Sequence, residues 1–160
     1  MSGGGGPSRQ RMVEEIAART ATDAGGTVGR EAGRQGRMDL PWSRTRAILQ
    51  SEAAECGLAA LAMVAQAHGM HIGLVEMRRR FPLSLKGATL GQLIRIAQQL
   101  GFAPRPLRLE MEHLRQLRLP CILHWDLDHF VVLARVGRSR ATILDPAVGE
   151  RRLPLAEVSR

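Results

Sequence analysis

Apolar residues in the middle of the chain recur at helical spacing. Between residues 58 and 67 every position but Gln66 is apolar, and those at 58, 61, 62, 64 and 65 keep helical spacing. Gly69 follows, where a residue of positive φ ends a helix. The stretch "GLVEMRRRF" predicts a second short helix. Thr89 stands as an N-cap before "LGQLIRIAQQL", with Gly101 as the C-cap. "EMEHLRQL" predicts a third short helix or a single turn. After Leu119 the period changes: "PCILHW" reads as a strand and "HFVVLARV" as a strand apolar on both faces. "GRSR" reads as a turn, "ATILD" as a strand, "PAVGE" as a turn and "RRLPL" as a last strand. Helices first and an antiparallel sheet second predict an α+β domain of two facing halves. No internal repeat is present.

Residues 1–45 break this pattern. "MSGGGGPSRQ" and "TDAGGTVGREAGRQGR" lack apolar periodicity. Between them "RMVEEIAART" predicts a short helix carrying Met12, Val13 and Ile16 on one side. One such stripe cannot bury itself, so this extension is expected to be mostly disordered, with the folded domain over residues 46–160.

Composition narrows the class. The 44% hydrophobic content suits one globular domain. The net charge of +8 comes almost wholly from Arg, and without any Tyr and with only three Phe there is no stacking platform for single-stranded nucleic acid. Nucleic acid is therefore not an expected partner. The longest apolar run, "LAALAMVA", has eight residues, against about 20 for a membrane span. Two Cys, with no secretory signal at the N-terminus, read as reduced thiols in a cytoplasmic setting.

Cys56 stands at the front of the apolar helix. There the helix N-terminus favours the thiolate, and Gly57 leaves the backbone open to a substrate. A free Cys is also commonly a small buried hydrophobe. Gln50, six residues upstream, supplies an amide donor for an oxyanion, beside the Cys56 backbone N–H. A thiol peptidase needs a base and a group that orients it. His68 and His71 lie about three turns from Cys56, too far; His113 reads as solvated. His129 opens the most apolar strand, and Asp145 ends the next one before Pro146. A regular ladder with Val136 opposite Ala141 sets Asp145 opposite Val132, which leaves His129 roughly 10 Å further along. Asp126 and Asp128 are rival orienters. Cys121, His124 and His129 have the look of a zinc set, but Cys121 and His124 point to opposite faces of a strand and no second Cys pair completes a tetrahedron; no metal or other cofactor is expected.

The segments "LQSEAAECGLAALAMVAQAHG", "SLKGATLGQLIRIAQQLGF", "RPLRLEMEHLRQLRLPCILHWDLDHFVVL" and "ILDPAVGERRLPLAEVS" together resemble the N-terminal peptidase domain of bacteriocin-processing ABC exporters of the colicin V secretion type. The resemblance implies a papain-like cysteine peptidase, its helical half packed on an antiparallel sheet. By position, Cys56 resembles the nucleophile, His129 the general base, Asp145 the residue that orients it and Gln50 the oxyanion donor. The family pattern implies removal of a precursor's leader after a Gly-Gly pair, at the cytoplasmic face of the bacterial inner membrane, together with membrane and ATPase parts that this chain does not include. Many relatives carry a second Cys where Ala60 stands here. The alternative is a docking module that binds leader or cargo without cutting; related modules of that kind lack the Cys.

Overall fold

The Ala-rich run does form a helix, α1, over Cys56–Ala67 in the computed structural model, which describes residues 11–18, 45–109, 111–126 and 128–158. All its residues except Gln66 are buried, so it is a central helix and not a surface one. Gly69 ends it at φ +83, with the Met70 N–H returning to the Ala65 carbonyl at 3.0 Å. Two further helices follow, α2 (Leu74–Arg80) and α3 (Leu90–Gln99). The start of α3 is fixed reciprocally: Thr89 Oγ1 accepts from the Gln92 N–H, and the Gln92 side chain accepts from the Thr89 N–H.

Among the described residues six strands make one antiparallel sheet: β1 (Arg11–Ala18), β2 (Phe102–Leu109), β3 (Cys121–Trp125), β4 (His129–Val136), β5 (Arg140–Asp145) and β6 (Gly149–Pro154), in the order β2-β1-β3-β4-β5-β6. Both faces of its middle are covered. Ile122, Phe130, Val132, Ala134 and Leu144 join the core built around α1. Cys121, Leu123, Val131, Leu133, Ala141 and Ile143 form a second core. Its other members are Leu114 and Leu117, in and after the 3-10 turn Met111–Gln116, and Val158 of the short helix α4 (Leu155–Val158). Double coverage explains why β4 reads as apolar on both faces.

One segment forms an element to which the sequence pattern assigns nothing, and another differs from its expectation. Residues 102–109 form a strand although Pro104 and Pro106 argue against one; β2 is the sheet edge, where a missing N–H costs nothing in the ladder. Residues 11–18, placed by the sequence in a disordered extension with a short helix, instead form β1 between β2 and β3, with Val13 opposite both Leu107 and Leu123. A short apolar run does not distinguish helix from strand, and the open edges of β2 and β3 decide for the strand. Residues 1–10 and 19–44 of that extension lie outside the described residues.

Candidate active site

Cys56 is the first residue of α1, preceded by a 3-10 turn over Ala53–Glu55. Its thiol is buried between the helix mouth and the start of β4, and hydrogen-bonds with His129 and the backbone N–H groups of Phe130 and Gly57. Burial pushes the thiol up. The bond from His129, those from the two backbone groups and the charge on His129 outweigh burial, so the thiol lies below its ordinary value. The imidazole moves the other way: the bond to Cys56, and against burial the bond and charge of Asp145, raise His129 to about 9. Both shifts favour the thiolate–imidazolium form of the pair over two neutral groups.

His129 Nε2 lies 2.8 Å from Asp145 Oδ1, which leaves Nδ1 to face the thiol. The same Oδ1 accepts from the Ala147 N–H at 2.9 Å, and Arg151 Nη1 stands 3.8 Å from Oδ2. The gap expected from a regular hairpin is closed by a bulge. The ladder runs Val136 opposite Ala141 and Arg135 opposite Thr142, then shifts by one residue, so that Leu133 faces Ile143 and Val132 faces Leu144. Asp145 thereby moves from beside Val132 to beside Val131, onto the face that His129 shares. A diagonal pair on one face lies within reach of two such side chains.

Gln50 is held beside this site by its N–H, which donates to the Pro146 carbonyl at 2.8 Å, and its Oε1 is buried without a hydrogen-bond partner. The remaining candidates lie elsewhere. His68 meets the Phe102 ring edge-on at 5.7 Å, and His71 and His113 are exposed. His124 stacks on Phe130 at 4.3 Å. Cys121 sits in the second core, on the face of the sheet away from His124 and at the far end of β3 from His129, so Cys121, His124 and His129 do not converge. Asp126 and Asp128 are exposed, whereas Asp145 is 5% exposed. Among the described residues no group of three or more His, Cys, Asp or Glu is placed to hold a metal ion.

Gly57 corrects one expectation. A Cβ there would lie 3.2 Å from Ala88 Cβ and 3.3 Å from the Phe130 ring. Its missing side chain lets α1 pack against its neighbours; it does not open a path for substrate. Two residues of the site escaped sequence reasoning. Arg151 lines an open cavity of about 410 Å³ beside His129 and Asp145, with Trp125, Asp126, Leu153 and Glu157. Glu55 is buried immediately before the thiol. Its one sequence signal was a charge at the start of an otherwise apolar run.

The peptidase C39 family profile matches residues 44–160. The colicin V secretion/processing ATP-binding protein CvaB of Escherichia coli is 51% identical over 124 residues, which cover 77% of this chain and 18% of CvaB. The chain thus spans less than a fifth of that relative. The crystal structure of a double glycine motif protease from an AMS/PCAT transporter, in complex with the leader peptide, matches with a TM-score of 0.65 at 36% identity, over 74% of this chain and 88% of that one. The peptidase domain of Streptococcus ComA, a bifunctional ABC transporter, matches with a TM-score of 0.64 at 24% identity, over 71% of this chain and 89% of that one. At that identity the second structure speaks for the fold alone.

Proposed function

The chain belongs to the peptidase C39 family of cysteine peptidases, and from that premise we propose that it removes the leader of a peptide precursor by cutting after a Gly-Gly pair, in step with export by an ABC transporter. The observation that carries this reading is the hydrogen-bonded chain of Cys56, His129 and Asp145 at the mouth of α1. The Cys56 thiolate attacks the carbonyl of the second Gly. The oxyanion that forms takes hydrogen bonds from the Cys56 N–H and the Gln50 amide. His129, already protonated, gives its proton to the leaving amine and then takes one from the water that hydrolyses the acyl-enzyme. Asp145 holds the ring and favours its charged form. A docking module that does not cut has no use for a thiol so activated.

The proposed partners are a double-glycine precursor and the membrane and ATPase parts of an exporter, which sets the work at the cytoplasmic face of a membrane. No helix among the described residues is long and apolar enough to cross one. Two adjacent residues without Cβ let a substrate backbone enter between the mouth of α1 and the start of β4. Replacing either Gly of a precursor by Val is expected to lower kcat/KM at least about 100-fold, while replacing apolar leader residues by Ser mainly raises KM. Steady-state kinetics on such a peptide set tests this; Ala-Val junctions cut as fast as Gly-Gly would refute it.

A further inference from the structure

Glu55 is a carboxylate that is 7% exposed, one residue before the nucleophile. Carboxylates are rarely buried so deeply unless paired. One oxygen, Oε2, accepts from the backbone N–H groups of Ser51 at 2.9 Å and Glu52 at 3.1 Å. The other, Oε1, accepts from Arg78 Nε of α2 at 2.5 Å. Burial pushes this carboxyl up, but the bonds from Arg78, Ser51 and Glu52 outweigh it and keep the group ionised. The Ser51 N–H belongs to the peptide unit that Gln50 begins. On the other side of Gln50, its own N–H is tied to the Pro146 carbonyl next to Asp145. Gln50 is thus fixed from both sides, by the turn that carries Asp145 and by the carboxylate adjoining Cys56. From this geometry we infer that Glu55 is a positioning residue: clamped to α2 by Arg78, it sets the distance between the Gln50 oxyanion donor and the Cys56 thiolate. The inference rests on the proposed role of Gln50.

A positioning residue of this kind affects addition to a carbonyl and leaves thiolate formation alone. Two reagents separate the two. Iodoacetamide alkylates Cys56 by displacement and needs only the thiolate. The aldehyde acetyl-Gly-glycinal adds to Cys56: the S–C bond forms, the C=O pair moves onto oxygen, and His129 supplies the proton. For Glu55→Ala, aldehyde affinity is expected to fall about 100-fold, the scale of a lost oxyanion donor, with the alkylation rate within about 3-fold of wild type. In the double variant with Gln50→Ala, the loss should be no more than about 3-fold beyond either single change, because both act through one donor. Arg78→Met keeps both backbone bonds of Glu55 but frees its outer end, at a side chain that is 47% exposed; it should lose about 10-fold in aldehyde affinity by the same route. This second variant reads the clamp even where Glu55→Ala does not fold. Equal losses in alkylation and aldehyde affinity, losses that multiply with Gln50→Ala, or wild-type affinity in Arg78→Met would each overturn the inference. A wild type that binds the aldehyde but cuts no double-glycine peptide would refute the proposed function and leave this comparison readable.

Discussion

Cys56 and His129 shift each other in opposite directions, and that sets a pH dependence with a definite sign. As pH falls through the lowered thiol value, the thiolate gains a proton and the nucleophile is lost. As pH rises through about 9, the imidazolium loses the proton that the leaving amine needs. Hydrolysis should follow a bell whose alkaline limb lies near 9, both limbs belonging to the pair. Alkylation of Cys56 needs no imidazolium and should stay high beyond that limb. If alkylation instead tracked one free thiol of pKa about 8.5, the pair would not exist. At this scale the sequence offered Cys56, Gln50, His129 and Asp145 as types of chemistry at plausible element ends. Glu55 stayed hidden because its meaning depends on Arg78, 23 residues away. Gly57 was misread because its neighbours, Ala88 and Phe130, come from other elements.

The helices and β4 to β6 were legible because each carries a local signal: the apolar run of α1 closed by Gly69, the Thr89 cap of α3, and the β-branched runs and turns after Leu119. What local signals do not contain is a count of residues across a hairpin. The bulge between Leu133 and Arg135 moves Asp145 to the face of His129, and no residue in "HFVVLARV" announces it. Prolines hid β2 for a related reason, since only the sheet order reveals it as an edge. The packing of α1 on β4 makes a stability prediction. In Gly57→Val the added atoms meet Ala88 and Phe130 at the closest approach of helix and strand. The variant should lose about 1–3 kcal/mol, the scale of an overpacked core. It should also lose activity, because Phe130 follows His129. Urea unfolding and kcat/KM check the two parts, and an unchanged midpoint would show that the contact yields freely.

Among the described residues one sheet stands between two cores, with the reacting groups gathered at the sheet end where β4 begins and β5 stops. The order of strands gives the N-terminal segment a place that composition alone denied it. Deleting residues 1–18 removes β1 and bares the facing edges of β2 and β3, while the pairing of β4 with β5 involves none of it. Stability should therefore fall and amides in β2 and β3 should exchange faster, with the alkylation rate of Cys56 kept. Unchanged exchange in β3 would remove β1 from the sheet. In the proposed reaction Cys56, paired with His129 and assisted from Gln50, cuts a peptide after two glycines. The most direct measurement is the intact mass of a double-glycine precursor after incubation with the wild type and with Cys56→Ser. The wild type should give two products, a leader ending in Gly-Gly and the remaining peptide, and Cys56→Ser should leave the precursor untouched. A precursor left whole by the wild type, or cut equally by both proteins, would contradict it.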